Sequence, residues 1–521
     1  MRTAIPDRQA VPTIDAARRA FANGDIAATE SLCARILAKK PNQWAAWALL
    51  TETALQRGRA DAAIVCAERA AALASTNPIP LILKAKCLFV SGKAREALAA
   101  AEAAETIVGD TPEALDALGG IFGMLALHER ARSLFLRAVD KRPGVPQYLF
   151  NLAATERMTG ALAQAEAHCD AALALDPTYS LAHYLRSDLR IQTTGSNHVA
   201  EMEAVIAEKK LPPANQVLLH FALAKEYEDL ALHEHAFQHV DAGCALQRGL
   251  LGPTRADGTA EIDRIIASHT KSWIASAPEG HAAAAPVFVV GLPRTGTTLV
   301  DRIIASHPAM RSVGETGAFA AELARAAVAG GRRPDPASLG RSYLEAASLS
   351  RLPADARFVD KTLDNYLYCG LIHVALPRAK IILVQRRPMD ACWAMYKAHF
   401  AGKFAFSYHQ EELADHYLAY RRLATHWKAT LPPHALLEVN YEDIVHDQEA
   451  ESRRMIDFAG LAWDDEVLRF HDSKAPSATA SAVQVRRPIY ASSIGKWRHH
   501  AEGLAPLRAR LSRVLPEQEL S

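Results

Sequence analysis

The chain has 521 residues, beyond the length at which one hydrophobic core keeps growing, so more than one domain is expected. Lys and Arg total 59 against 58 Asp and Glu, a formal charge of +1, which excludes a global field for drawing the molecule onto nucleic acid or anionic lipid. Half the residues are hydrophobic but only 7% are aromatic, and the Ala- and Leu-rich first half has the composition of closely stacked helices.

The opening stretch MRTAIPDRQAVPTIDAARRA carries no continuous apolar run, and no segment of about 18 apolar residues follows it anywhere, so neither a signal peptide nor a membrane span is expected. The expected address is the cytoplasm. The seven cysteines, Cys33, Cys66, Cys87, Cys169, Cys244, Cys369 and Cys392, contain no C-x-x-C pair and read as buried thiols, not as a disulfide frame or a zinc site.

After a tail over 1–10, Gly24, Gly58, Gly92, Ala126 and Gly160 recur every 34 residues, the period of a helix-turn-helix solenoid unit. Ala63, Ala97, Ala131 and Ala165 follow the turn position by five residues, and Ala70, Ala104, Ala138 and Ala172 by twelve, placing small side chains where paired helices cross. Pro41, Pro143 and Pro177 end their units. This pattern resembles the tetratricopeptide repeat family, clearly over 11–195 and in degenerate form near 218–243. The array either holds a peptide or protein partner in its concave groove or serves to pack on the rest of the chain or to pair two copies of it. The repeat domain is expected over 11–250, a linker with one short helix, EIDRIIASHTKSWI, over 251–283, and a second domain over 284–521.

That second domain opens with PVFVV, GLPRTGTT and LVDRIIASHP, a strand, a glycine loop and a helix. Loop N–H groups and the positive helix end can surround a phosphate, with Arg294 adding a charge and Thr297 and Thr298 hydroxyl donors. Gly291 and Gly296 keep the spacing of a nucleoside triphosphatase loop, but Thr297 stands where that loop needs Lys. Further on, AKIILVQRRPMDACWAMY reads as a buried strand, then Arg386 and Asp390 before a helix. An arginine fork at a strand end suits phosphate oxygens, and Asp390 is expected to cap or orient. Strands PVFVV, RFVD, KIILV and LLEVN alternating with helices predict an α/β domain with a mostly parallel sheet, behind an all-α solenoid.

PRTGTT and R-x-P-x-D resemble the 5′-phosphosulfate and 3′-phosphate segments of the sulfotransferase family, and SVGETGAF, RFVDKT, EVNYED and SAVQVRRPIYASSIGKW extend the likeness toward its tyrosylprotein members over most of 286–500. The resemblance implies 3′-phosphoadenosine 5′-phosphosulfate as donor, without a metal, and a hydroxyl acceptor on a protein tyrosine, a carbohydrate or a small molecule. It implies Glu315 as general base, with Lys361 and Arg294 beside the leaving group. Arg294, Thr295, Gly296, Thr297, Thr298, Arg386 and Tyr441 would contact the donor, with Ser481, Gln484 and Arg487 on a closing loop and Lys496 at the 3′-phosphate. The pattern departs at Ala394, where the family carries Ser. Taken by position alone, Glu315 is a carboxylate at a helix start and Lys361 an exposed Lys after a strand. His399, His499 and His500 read as solvated, as do WDDEVLRF and WRHH apart from Lys496 and Trp497. A repeat scaffold with a degenerate catalytic half, and a nucleotide kinase, are the competing readings.

Overall fold

The computed structural model describes residues 12–252, 257–282, 285–330, 335–347, 357–473, 475–476 and 483–521. Two compact units divide between Thr155 and Glu156, inside the repeat array.

In the first unit, antiparallel helix pairs run from Ile14–Ala22 and Ile26–Lys39 through Pro112–Met124 and His128–Lys141. The 34-residue ladder has a backbone cause. Gly24, Gly58 and Gly92 turn at φ of 75°, 68° and 73°, the left-handed region that glycine enters without penalty, and Ala126 takes the same place at 57°. Ala63, Ala70, Ala97, Ala104, Ala131 and Ala138 are fully buried at the helix crossings, where a larger side chain would push the pairs apart.

The second unit begins with the later repeat helices, among them Leu162–Leu175, Ser180–Asp188, Pro213–Asp229 and His233–Leu251. The expected linker helix is two helices, Asp257–Ser268 and Lys271–Ala275, because the Thr270 hydroxyl accepts from Trp273 N at 3.3 Å and restarts the helix. Ile262 is fully buried there.

The α/β part is built on five strands, β1 (Val287–Val290), β2 (Met310–Gly314), β3 (Arg357–Asp360), β4 (Lys380–Gln385) and β5 (Leu436–Asn440), in the order β2-β3-β1-β4-β5 with every pairing parallel. The four expected strands are present. β2 lies at the edge and was not expected, because Arg311 and Ser312 are exposed and leave no apolar run to read.

Alternation along the strands builds two cores. Val287, Val289, Ile382, Val384 and Val439 face Val300, Ile303 and Ile444. Phe288, Val290, Ile381 and Leu383 face Phe319, Tyr343, Trp393 and Tyr417, and this second core also takes in Val217, Phe221, Val240 and Cys244 from the repeat helices Pro213–Asp229 and His233–Leu251. Among the described residues, no helix is long and apolar enough to cross a membrane.

Candidate active site

In a parallel sheet all carboxyl ends share one edge, and that edge is where ligands bind. Each strand here delivers one of the singled-out groups as it ends. β1 runs into the loop Gly291–Gly296, β2 into Glu315, β3 into Lys361, β4 into Arg386 and β5 into Tyr441.

The loop after β1 is held in an unusual backbone. Arg294 has φ 65° and Gly296 φ 103°, the first of these a strained conformation for a residue with a side chain. The Thr295 hydroxyl donates to Leu292 O at 2.7 Å, so it serves the loop itself. The helix Thr297–Ala305 then starts with no side chain capping its N-terminus, leaving its first N–H groups aimed at whatever the loop encloses. A Cβ on Gly296 would stand 2.6 Å from Tyr441 Cδ2. Gly296→Ala is therefore expected to displace Tyr441 and to strain the turn by about 1–3 kcal/mol, weakening anion binding roughly 10- to 100-fold in a calorimetric titration. Unaltered affinity would show that this close approach is not needed.

Arg386 binds the surrounding segments together. It donates to Arg294 O at 3.0 Å and Ser493 O at 2.9 Å and lies 4.8 Å from the Tyr441 ring centre. Its Nε is buried and has no partner among the described residues. Tyr441 shares a 2.8 Å hydrogen bond with Ser493. Asp390 orients, as expected: its carboxylate accepts from Gly495 N at 2.8 and 3.0 Å, carrying the Lys496 segment to the first turn of the helix Pro388–Tyr396. Burial raises the Asp390 pKa, opposed by the Gly495 N–H and by Arg386.

One cavity joins these parts. Arg294, Gly296, Thr297, Thr298, Arg386, Tyr441, Gln484, Arg487 and Lys496 all line it, together with Trp393, Ala394, Lys397, Tyr490 and Ser493. Gln484 accepts from Arg294 at 3.1 Å. Thr295 is not part of the lining, and Ser481 lies outside the described residues. Five lining side chains are cationic and Asp390 is the one carboxylate among them, so the cavity suits a polyanion. Burial lowers the Arg294 pKa, partly offset by Asp188.

Glu315 and Lys361 are not in that lining, but they form an ion pair with each other. Parallel pairing of β2 with β3 makes the pair, since Lys361 N donates to Gly314 O at 2.9 Å. Lys361 is 1% exposed, so it is not the exposed lysine its position alone implied. Asp360 fixes the turn around it by accepting from Thr362 N at 2.9 Å, Tyr343 Oη at 2.9 Å and Thr316 Oγ1 at 3.1 Å.

The histidine expectation holds for His499, which is exposed, but not for His500. His500 is buried against Trp393, with ring centres 4.2 Å apart, and burial pushes its pKa down to about 4. His499 stacks on His233 at 4.2 Å, and His399 packs on Tyr184 and Phe221. The site residues that sequence reasoning missed are Trp393 and Lys397, which the spacing of an apolar helix conceals, and Glu228 of the repeat helix Pro213–Asp229, whose carboxylate accepts from Lys397 Nζ at 2.6 Å through both oxygens.

An uncapped helix start behind a glycine loop, an arginine fork and a cationic cavity lie together at one sheet edge, an arrangement suited to a polyanionic ligand. Residues 286–465 match the sulfotransferase family. An uncharacterised protein of Aquifex aeolicus (strain VF5) is 28% identical over 332 residues, 59% of this chain and 43% of that protein, so the match spans less than half of that relative. Protein-tyrosine sulfotransferase 2 of Gallus gallus is 25% identical over 268 residues, 43% of this chain and 68% of that protein. Among solved structures, the sulfotransferase domain of the Synechococcus PCC 7002 olefin synthase is 17% identical, covers 46% of this chain and 99% of its own, and superposes with a TM-score of 0.34. The C-terminal half of the chain is thus similar to the sulfotransferase family, and it follows an array of tetratricopeptide-type repeats.

Proposed function

We propose that the chain moves a sulfuryl group from 3′-phosphoadenosine 5′-phosphosulfate to an acceptor hydroxyl, with Glu315 as general base. The observation that carries this reading is the delivery of the loop, Glu315, Lys361, Arg386 and Tyr441 to one edge by five parallel strands. When bound, the donor supplies a sulfuryl group already activated on its 5′-phosphate.

The residues of the chain bind and balance charge. The loop N–H groups, Thr297, Thr298 and Arg294 hold the 5′-phosphate, and Lys361 offsets charge on the oxygen that parts from sulfur, a task for fixed cations and dipoles. Glu315, held by Lys361, receives the proton of the acceptor hydroxyl. Arg386 and Lys496 hold the 3′-phosphate, with Tyr441 against the Arg386 guanidinium. Transfer of this kind asks the protein for positioning and charge, by analogy with phosphoryl transfer.

The acceptor we favour is a tyrosine of a peptide or protein held by the repeats, supported by the likeness to protein-tyrosine sulfotransferase 2 of Gallus gallus. A carbohydrate or a small phenol would use the same donor cavity. The seven cysteines are all free thiols, which fits the reducing cytoplasm as the location.

Calorimetric titration of the full chain with adenosine 3′,5′-bisphosphate, ADP and ATP tests the donor. Preference for ATP would favour a kinase, and no nucleotide binding at all would favour a scaffold. Arg386→Ala is expected to weaken the bisphosphate by about 100-fold or more, because a bidentate charge-assisted contact and the ties to Arg294 and Ser493 go together. Arg386→Lys should not restore it, since an ammonium cannot make both contacts.

A further inference from the structure

The helix Pro388–Tyr396 presents Ala394 to the cavity, a methyl group where a hydroxyl would serve an anion, and three residues further Lys397 lines the same cavity. Residues three apart share a helix face, so Lys397 reaches the space that a side chain at 394 would serve. Trp393 beside it has a buried indole N–H with no partner among the described residues, and the Lys397 ammonium sits 5.5 Å from its ring centre.

Lys397 is held from behind by the repeat array. Both Glu228 oxygens accept from its Nζ at 2.6 Å, and Lys496 Nζ stands 3.8 Å from the same carboxylate. Burial works to raise the Glu228 pKa, but Lys397 and Lys496 outweigh it and hold the group at about 2, so it stays charged near neutral pH. One carboxylate thus serves two ammonium groups, and the trio keeps a net positive charge facing the cavity. An ammonium has three protons, and among the described residues Glu228 alone hydrogen-bonds Lys397, through two contacts, so one proton remains for a ligand.

We propose that Lys397, positioned by Glu228 of the repeat helix, binds the 3′-phosphate of the donor in place of the hydroxyl absent at Ala394, so that the repeat array forms part of the donor site. This rests on the donor reading above. The arrangement separates two phosphate positions, the 5′ one at the loop and helix start and the 3′ one between Arg386, Lys397 and Lys496.

The test compares adenosine 3′,5′-bisphosphate with adenosine 5′-monophosphate in calorimetric titrations of the full chain. Lys397→Met alone would strand the Glu228 carboxylate, so the double variant Lys397→Met with Glu228→Gln, which removes both charges, is measured beside it. Both variants are expected to bind the monophosphate within about 2-fold of the parent and the bisphosphate roughly 10- to 100-fold more weakly, the worth of one charge-assisted contact. Lys397→Arg is expected to recover most of that loss. If the parent prefers the bisphosphate and the variants keep the full preference, the Lys397 assignment falls while the donor reading stands. Equal weakening of both nucleotides would make Lys397 a structural residue and also overturns it. A parent indifferent to the 3′-phosphate would remove the donor reading and this inference together.

Discussion

A chain lacking residues 1–250 is expected to be insoluble or to melt without cooperativity, whereas one lacking 1–155 is expected to fold and to keep its nucleotide affinity. The longer deletion removes Val217, Phe221 and Val240, each buried in the core that also holds Phe288, Leu383, Trp393 and Tyr408. Burying a side chain of this size is worth about 1.5–3 kcal/mol, so three of them approach the net stability of a typical domain, about 5–15 kcal/mol. Polar ties leave with them: Asp241 accepts from Tyr396 Oη at 2.7 Å, and Glu228 neutralises the half-buried Lys397. The shorter deletion stops at the border of the second compact unit and leaves those partners in place. Solubility, circular dichroism melts and titration with adenosine 3′,5′-bisphosphate of both truncations decide the matter. A cooperative melt of the longer truncation at the Tm of the full chain would show that the repeat helices are dispensable to this core.

The two truncations also mark where local pattern runs out. The solenoid was legible because a left-handed turn demands glycine or a tolerated alanine at a fixed place, and a fully buried crossing demands alanine, so backbone geometry writes itself into residue type every 34 residues. The glycine loop was legible for a similar reason, since close approach of Tyr441 to Gly296 admits no side chain. β2 was not, because an edge strand with exposed Arg311 and Ser312 has no apolar signature. Burial of His500 was hidden as well. WRHH reads as a solvated helix face, yet Trp393 covers its His500 from more than 100 residues away. Pairings made by the fold are the least legible of all: Glu315 meets Lys361 across 46 residues, and Glu228 meets Lys397 across 169, the second from a helix that reads only as a degenerate repeat. The divide between the compact units follows from such contacts, which composition cannot report.

Glu315→Gln is expected to lower kcat by about 10²- to 10⁴-fold while leaving the affinity for adenosine 3′,5′-bisphosphate within about 2-fold, because general-base assistance is lost and no residue of the cationic cavity is touched. The amide keeps the shape of the carboxylate and can still accept a hydrogen bond from Lys361, but it cannot take the acceptor's proton. Loss of the ion pair does not leave Lys361 without a carboxylate in its surroundings, since the buried Asp301 acts on it electrostatically and itself accepts from Ser312 at 2.7 Å. The fold is therefore expected to survive, with a melt close to that of the parent. The pH profile separates the two roles open to Glu315. A base that must be ionised produces a fall in kcat on the acid side, and that limb should vanish in the Gln variant, leaving a flat, low rate. A residue that only steadies Lys361 would leave the limb in place and lower kcat at every pH by a constant factor. Equal losses in kcat and in nucleotide affinity would assign Glu315 to the structure of the site and return the search for the base to the other strand ends.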